Sequence, residues 1–360
     1  MQQTENLNVL AVESMPSPDE VKARVPLTER AVQTVLSGRR AIEAILDDRD
    51  RRLFLVVGPC SMHDPVAGLD YARRLRELAE EVADTLVLVM RVYFEKPRTA
   101  VGWKGFVNDP RMDDSFRNDE GMERARRFLL DVNELGLPAG TEALDPISPQ
   151  YYGDLVTWTA IGARTAESQT HREMSSGLST PVGFKNATDG DLQAAVNAVV
   201  SAAQPHAFLG INFQGRSAIF RTRGNRYGHL VLRGGGGRPN FDTVSIWLAE
   251  EELSRARLPR NLVIDCSHAN SWKKAELQPL VMRDVTHQIR EGNRSVVGLM
   301  VESFLEAGSQ PIPHDPRELR YGCSVTDPCV GWDTTVEMIR SARSVLRPVL
   351  PERERRPSGP

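Results

Sequence analysis

The sequence predicts an α/β fold, a (β/α)8 barrel with an N-terminal extension and an inserted β-hairpin. Short apolar runs alternate with amphipathic segments from about residue 52 onward. About eight such units in roughly 300 residues favour a closed barrel over an open doubly wound sheet. The runs are almost wholly apolar, which is typical of parallel strands that helices cover. Strands that alternate with helices pair in parallel through right-handed crossovers.

The apolar runs are the predicted barrel strands. In chain order they are Leu53–Val57, Leu86–Phe94, Pro138–Leu144, Thr157–Arg164, Val182–Lys185, Ala207–Ile211, Leu262–Asp265 and Val296–Val301. The fourth run has a second interpretation, because it could extend the helix that precedes it. Several segments carry apolar residues at the 3.6-residue period of a helix. They are Tyr71–Val82, Met122–Leu135, Leu192–Ala203 and Trp332–Leu346.

Three parts of the chain differ from this repeat. Residues 1–51 form an N-terminal extension with a predicted helix at roughly Glu29–Leu46. The apolar stripe of this helix must cover either its own barrel or a neighbouring subunit. Within the barrel domain, residues 52–348, glycine-containing pairs indicate an inserted hairpin at about 211–232. Residues 349–360 are charged and rich in proline, which predicts a disordered tail.

Composition and charge exclude several classes of protein. The chain has 45 basic and 48 acidic residues and a net charge of −3, whereas nucleic-acid binders usually carry a basic excess. Its most apolar stretch, Leu86–Phe94, is interrupted by Arg91 and is far shorter than the roughly 20 residues that span a membrane. The polar start lacks the pattern of a signal peptide, and four cysteines do not form a disulfide framework. We therefore expect a cytoplasmic protein that binds neither nucleic acid nor membranes.

Four residues near the strand ends are candidate metal ligands. The active site of this barrel class lies at the C-terminal ends of the strands. Cys60 follows the first run, His268 the seventh and Glu302 the eighth, and Asp327 lies in the next loop. These loops can converge, and a thiolate, an imidazole and two carboxylates suit a divalent first-row metal. Taken singly, Cys60 is equally well explained as a small buried apolar residue and His268 as a structural histidine.

Basic residues form a second set near the strand ends. They are Arg91, Lys96, Arg98, Lys104, Arg164, Lys185 and Arg233. An inward-facing ring of like charges is costly unless an anion neutralises it, and arginine matches phosphate and carboxylate with two parallel hydrogen bonds. The set indicates a polyanionic ligand, such as one with two phosphates and a carboxylate. Alternatively, Glu95, Glu142 and Asp265 pair with these cations inside the fold.

Seven motifs along the chain resemble one enzyme family. They are VVGPCSMHDP (56–65), MRVYFEKPRTAVGWKGFVNDP (90–110), GARTAESQTHRE (162–173), PVGFKNATDG (181–190), IDCSHAN (264–270), GLMVES (298–303) and SVTDPCVGW (324–332). From about residue 20 to about residue 347, the chain resembles the type I 3-deoxy-D-arabino-heptulosonate-7-phosphate (DAHP) synthases of the enterobacterial and yeast-like class. The KPRT motif at 96–99 distinguishes this family from related synthases that use arabinose 5-phosphate or N-acetylmannosamine.

The resemblance implies a reaction and a cofactor. Phosphoenolpyruvate would condense with D-erythrose 4-phosphate and water to give DAHP and phosphate, the first step of the shikimate pathway and of aromatic amino acid biosynthesis. The cofactor would be a divalent metal, Mn²⁺, Co²⁺, Fe²⁺ or Zn²⁺. The four family ligand positions match Cys60, His268, Glu302 and Asp327.

The resemblance also assigns substrate positions. Those around phosphoenolpyruvate match Arg91, Lys96, Lys104, Arg164, Lys185, Arg233 and His268, and the erythrose 4-phosphate segment matches Lys96, Pro97, Arg98 and Thr99. The expected catalytic residues are Lys96, His268 and Glu142. Lys96 would donate a proton to the developing alkoxide. Either a metal-bound water or Glu142 would manage the proton on the attacking water, and the sequence does not choose between them.

An aromatic amino acid effector is also implied, bound beside the inserted hairpin. The matching positions are Asp145, Pro149, Gln150, Leu178, Ser179, Phe208, Gly210 and Ile219. Leu178, Phe208 and Ile219 are predicted to line an apolar slot for the ring. Gly210 stands where phenylalanine-sensitive relatives tend to have serine, which favours tyrosine or tryptophan as the effector. The alternative is a copy without feedback control.

Two other functions stay open at this point. One is a metal-dependent synthase or aldolase with another sugar acceptor in a specialised pathway, against which the KPRT motif argues. The other is a catalytically silent regulatory subunit, which should have lost ligands or cations. We expect a homodimer or homotetramer built partly by residues 1–51, because relatives use this segment across subunits.

Overall fold

The protein folds as the predicted barrel. The structure, a computed structural model, describes residues 4–98 and 101–353. The predicted substrate residue Thr99 and the tail from residue 354 lie outside these ranges. In the described residues the strands are β1 Leu53–Gly58, β2 Leu86–Arg91, β3 Ala139–Glu142, β4 Trp158–Ile161, β5 Val182–Lys185, β6 Ala207–Ile211, β7 Ser217–Arg221, β8 Gly228–Leu232, β9 Leu262–Asp265 and β10 Val296–Glu302. Eight of them close a barrel in the order β1-β10-β9-β8-β5-β4-β3-β2.

Helices surround this barrel. They are α1 Pro18–Arg24, α2 Glu29–Leu46, α3 Pro65–Val82, α4 Asn118–Glu134, α5 Ser148–Tyr152, α6 Gln169–Ser175, α7 Gln193–Ala202, α8 Thr243–Arg255, α9 Gln278–Arg290 and α10 Trp332–Leu346. α3 begins earlier than predicted because the Asp64 side chain accepts hydrogen bonds from the amides of Val66 and Ala67, as an N-cap does. Among the described residues, no helix combines the length and apolar composition needed to cross a membrane.

The prediction for the sixth barrel strand was wrong. Ala207–Ile211 is β6, which pairs antiparallel with β7 in a separate two-stranded sheet. The sixth barrel strand is β8, between β5 and β9, so the inserted hairpin spans 207–221 rather than 211–232. Burial explains the difference, because β6 alternates between exposed and partly buried residues. Residues 230–232 of β8 are fully buried, as a helix-covered strand must be.

The helix of the N-terminal extension closes one end of its own barrel. α2 has the predicted bounds, Glu29–Leu46. Its residues Ile42 and Ile45 are almost completely buried and pack in one cluster with the barrel residues Phe54 and Trp158. Burying one such isoleucine contributes about 1.5–3 kcal/mol. In the C-terminal half of α2, the apolar stripe therefore covers the chain's own barrel rather than a neighbouring subunit.

Candidate active site

Three of the four predicted metal ligands converge at the C-terminal mouth of the barrel. Cys60 follows β1, Glu302 ends β10, and Asp327 lies in the loop between β10 and α10. One ligand atom from each residue lies within 4.8 Å of the others. Cys60 and Glu302 are buried, and Asp327 is partly buried. Loops that are far apart in sequence meet here because β10 pairs directly with β1.

His268 lies at the edge of this cluster. Its Nε2 is 3.9 Å from Glu302 Oε1, and its Nδ1 is 2.9 Å from Asp265 Oδ2. A carboxylate on one ring nitrogen orients the other nitrogen, as is usual for metal-binding histidines. His268 has a φ of +56°, a left-handed conformation that is uncommon outside glycine. Nε2 of His268 therefore faces Glu302. Together with Cys60, Glu302 and Asp327, His268 completes a ligand set that fits a divalent first-row metal.

Lys96 places a positive charge among these groups. Its Nζ lies 2.9 Å from Cys60 Sγ and 3.2 Å from Asp327 Oδ2. Burial opposes the charge, but Cys60 and Asp327 together raise the pKa of Lys96 above its usual value. Burial likewise raises the pKa of Asp327, but Lys96 and His268 outweigh it and lower that pKa to about 2. Burial and the Glu302 carboxylate raise the pKa of the Cys60 thiol, so a metal is needed to favour its thiolate.

Arg91 connects the ligand cluster to the interior of the barrel. Its guanidinium donates to Glu302 Oε1 at 2.9 Å and to the Cys60 carbonyl at 3.2 Å, and lies 3.7 Å from the centre of the Tyr93 ring. Within the described part of the chain, Arg91 Nη1, Tyr93 Oη and Glu142 Oε1 are buried and have no hydrogen-bond partner. Buried polar groups are normally paired, so these atoms indicate a polar ligand or ordered water.

A cavity of about 210 Å³ lies beside the cluster. The predicted residues in its lining are Arg91, Lys96, Pro97, Arg98, Glu142, Arg164, Lys185, Arg233, His268 and Asp327. The structure does not bring the Lys104 side chain into this lining. Lys104 is exposed, and its carbonyl oxygen accepts a hydrogen bond of 2.8 Å from the Lys96 amide. In this arrangement the Lys104 backbone supports the backbone of Lys96.

One predicted internal partner does neutralise a cation. Lys185 Nζ lies 3.0 Å from Oδ2 of the fully buried Asp265. Burial opposes ionisation of Asp265, but Lys185 and His268 hold its pKa well below its usual range. Glu95 instead accepts a hydrogen bond from Tyr152 at 3.4 Å, and burial with the nearby Asp145 raises its pKa to about 8. The internal-pairing interpretation therefore holds for Lys185 and Asp265 but not for Glu95, and the polyanionic ligand stays a prediction.

Sequence analysis missed five residues of the cavity lining, Tyr93, Gly162, Ala163, Thr188 and Lys273. A signal existed for Tyr93, because alternate residues of an extended chain point to the same side, and Arg91 had been selected. Lys273 follows the IDCSHAN motif by three positions. Its backbone and that of Trp272 are left-handed, with φ of +58° and +54°. No residue pattern in the sequence indicated this turn.

A second cavity, of about 430 Å³, lies between α2 and the hairpin. The predicted effector residues in its lining are Pro149, Gln150, Leu178, Ser179 and Phe208. Asp145, Gly210 and Ile219 are not in this lining. Ile219 is 63% exposed, because β7 turns alternate residues to opposite faces. The prediction for Ile219 is therefore corrected, and Phe220 lines the cavity in its place, stacked on Phe208 with ring centres 5.5 Å apart.

Comparisons with known proteins agree with this architecture. The chain is 50% identical over 348 residues to the Tyr-sensitive phospho-2-dehydro-3-deoxyheptonate aldolase of Escherichia coli, an alignment that covers 97% of this chain and 98% of the relative. The Phe-sensitive and Trp-sensitive proteins of that organism are 48% and 45% identical, each over 96% of this chain and over 98% and 99% of their own lengths.

A solved structure has the same fold. The phospho-2-dehydro-3-deoxyheptonate aldolase of Francisella tularensis superposes with a TM-score of 0.92 at 44% identity, over 94% of this chain and 99% of that chain. The model of the DAHP synthetase I family matches residues 26–340. This match spans the barrel, the ligand cluster, the cavity beside it and the lining of the second cavity apart from Lys22, and the chain belongs to the DAHP synthetase I family.

Proposed function

We propose that this chain is a DAHP synthase. It condenses phosphoenolpyruvate with D-erythrose 4-phosphate and water, and releases DAHP and phosphate as the first step of aromatic amino acid biosynthesis. The observation that carries this function is the cation-lined cavity beside the Cys60, Glu302 and Asp327 cluster. Relatives at 45–50% identity over almost the whole chain are named for this reaction.

Two groups of residues in the cavity lining each suit one of the two substrates. Arg164, Lys185 and Arg233 line the cavity and match the phosphate and carboxylate of phosphoenolpyruvate. The segment Lys96–Arg98 lines the same cavity and would hold erythrose 4-phosphate. Cys60, His268, Glu302 and Asp327 would hold a divalent metal, which when bound supplies Lewis acidity and orients oxygen ligands.

The residues of the chain then move two protons. C3 of phosphoenolpyruvate attacks the aldehyde carbon, and Lys96 gives a proton to the oxygen that becomes the new hydroxyl group. Water adds to C2, which has become electron-poor, and Glu142 takes the proton from that water. The unpartnered Oε1 of Glu142 supports this choice of base. The resulting hemiketal phosphate loses phosphate by C–O cleavage while the arginines hold its charge.

The choice of sugar acceptor is the first prediction. Phosphate release with phosphoenolpyruvate should be fast with erythrose 4-phosphate and near background with arabinose 5-phosphate. The reason is that Lys96, Pro97 and Arg98 of the KPRT motif line the cavity, and this motif distinguishes the family from the arabinose-using synthases. A coupled phosphate assay with each aldehyde measures it. Preference for arabinose 5-phosphate would favour the sibling synthase, and release with neither sugar would favour the silent regulatory subunit.

We further propose that the second cavity binds an aromatic amino acid, with tyrosine or tryptophan favoured. The charged residues of its lining, Lys22, Arg39 and Asp154, can meet the carboxylate and ammonium of the effector. Phe208 and Phe220 provide an apolar wall for its ring. Relatives of this chain are named as sensitive to tyrosine, phenylalanine or tryptophan, which supports an effector of this class.

Gly210 gives the second prediction. A Cβ at this position would lie 3.0 Å from Phe220 Cε2 and 3.8 Å from Phe208 Cε2, so Gly210→Ser should press on the wall of the cavity. We expect inhibition by tyrosine or tryptophan to weaken about 10-fold or more, since such small changes alter binding about 10–200-fold. Inhibition curves with each aromatic amino acid measure the effect.

A matched control lies next to Gly210 in the same strand. Leu209 is 78% exposed on the opposite face of the hairpin, so Leu209→Ser should leave the inhibition curves unchanged. If phenylalanine alone inhibits the unmodified protein, the interpretation of Gly210 is incorrect. If no aromatic amino acid inhibits it, the alternative of a copy without feedback control is favoured.

Assembly and location remain predictions from the sequence. A homodimer or homotetramer is supported by Leu7, Leu10 and Val12 of the N-terminal extension, which are at least 68% exposed in the single chain. A subunit contact would remove the apolar surface of these side chains from water. A cytoplasmic location also stays a prediction.

A further inference from the structure

A buried glutamine contacts the backbone of Glu302 at two points. Gln278 is the first residue of α9 and is fully buried. Its Nε2 donates to the Glu302 carbonyl oxygen at 3.0 Å, and the Glu302 amide donates to Gln278 Oε1 at 2.9 Å. One side-chain amide thus makes both of the hydrogen bonds that a directly opposed residue makes in an antiparallel ladder.

Glu302 needs this partner because it extends past one of its neighbouring strands. β10 pairs with β9 as far as Met300 and Asp265, two residues before Glu302. On the other side β1 still reaches it, with Gly58 opposite Glu302. Gln278 therefore occupies the position that a longer β9 would take. The Glu302 backbone is held from both sides although the sheet ends on one of them.

The Glu302 side chain is held at its other end as well. Arg91 donates to Glu302 Oε1 at 2.9 Å, so both the backbone and the carboxylate of this residue are fixed. Gln278 also lies against a small cavity that His268 and Asp327 line. The Glu302 carbonyl also accepts a hydrogen bond of 3.0 Å from the Val330 amide, so Gln278 is one of several contacts that hold this residue, and in the part of the chain that the structure describes it alone contacts the Glu302 amide and carbonyl with a side chain.

We propose that Gln278 is a positioning residue that orients Glu302 as a metal ligand. The inference rests on the metal site of the proposed function. A shift of the Glu302 backbone would move its carboxylate relative to Cys60 and Asp327, and ligands must be held within about 0.5 Å of the productive geometry. Loss of a group that orients a ligand typically lowers metal affinity or activity about 10–100-fold.

Metal titration of Gln278→Met tests this inference. Methionine has a similar volume but makes neither hydrogen bond. We expect the Kd for Mn²⁺ of the metal-free full chain, followed by the electron paramagnetic resonance of free Mn²⁺, to rise about 10–100-fold. The matched control is Asn133→Leu, which removes another fully buried amide that donates to two backbone carbonyls, those of Leu129 and Leu155. It should lower the melting temperature without changing the Kd for Mn²⁺.

The possible results are distinct. A folded Gln278→Met protein with the Mn²⁺ affinity of the parent would overturn the inference. If that variant is not recovered folded, Gln278→Glu carries the test, since it keeps the shape and the acceptor but loses the donor to the Glu302 carbonyl. Its added negative charge favours cation binding, so weaker Mn²⁺ binding supports the inference, and equal or tighter binding overturns it. A parent chain that binds no Mn²⁺ would overturn the metal site itself, and the inference with it.

Discussion

Cys60→Ala should remove most of the bound metal and, with it, phosphate release. Cys60 Sγ is the only sulfur in the group of ligand atoms that lie within 4.8 Å of one another among the described residues. Its loss leaves an imidazole and two carboxylates, three ligands that should hold a divalent first-row metal more weakly than the set of four. We expect activity to fall more than about 100-fold, because even changes outside the ligand shell cost 10–100-fold. Metal content by mass spectrometry and phosphate release measure the two effects.

Chelation of the unmodified protein should have the same outcome. EDTA should abolish phosphate release, and Mn²⁺, Co²⁺ or Fe²⁺ should restore it. For the Cys60→Ala variant, the matched control is Cys323→Ala, since Cys323 is a fully buried free cysteine outside the ligand cluster. It should retain both metal and activity. Full activity in a metal-free Cys60→Ala protein would exclude the assigned role of the thiolate.

Lys96→Met should lower turnover about 10²–10⁴-fold while sparing metal binding. Lys96 Nζ lies 2.9 Å from Cys60 Sγ and 3.2 Å from Asp327 Oδ2, so its positive charge repels a cation at the cluster. Its removal should leave metal affinity equal or stronger. As the proposed proton donor in carbon–carbon bond formation, it should contribute about 10²–10⁴-fold to kcat. Steady-state kinetics at saturating metal, together with metal titration, separate these effects.

A nearby lysine and a conservative change serve as controls for Lys96. Lys274 is exposed and is not in the lining of the cavity, so Lys274→Met should keep the kcat of the parent. Lys96→Arg keeps the charge but has a different donor geometry and a higher pKa, so it should recover substrate binding better than turnover. A Lys96→Met protein with unchanged kcat would assign the proton transfer to another group.

The position of the candidate site could be predicted from the residues at the ends of the predicted strands. Cys60, Lys185 and Glu302 were selected because a (β/α)8 barrel places its chemistry at these ends, and the structure brings these side chains to one mouth. Apolar periodicity is a local property of the chain, so the helix Glu29–Leu46 could be predicted to the residue. The resemblance of seven motifs added a reaction to this architecture, and the family match agrees with it.

Pairing between distant segments could not be predicted in the same way. The run Ala207–Ile211 has the composition of a barrel strand, yet its partner is Ser217–Arg221, and Gly228–Leu232 takes its place in the barrel. Which run enters the barrel depends on the strand that lies beside it after folding. That pairing also decided on which side of the hairpin the Ile219 side chain lies, because a strand turns alternate side chains to opposite sides.

The sequence by itself determined the fold class, the family, the charged residues at the strand ends and the candidate metal ligands, because these depend on local composition and on the order of motifs. Only the tertiary structure decided that Lys104 turns outward, that Asp265 orients His268 and that Gln278 holds the Glu302 backbone. Each of these features depends on how a loop folds or on where a neighbouring strand ends, and neither can be seen in the residue types alone. Residue type specifies what a side chain can bind, and its partner is specified by the packing of the whole chain.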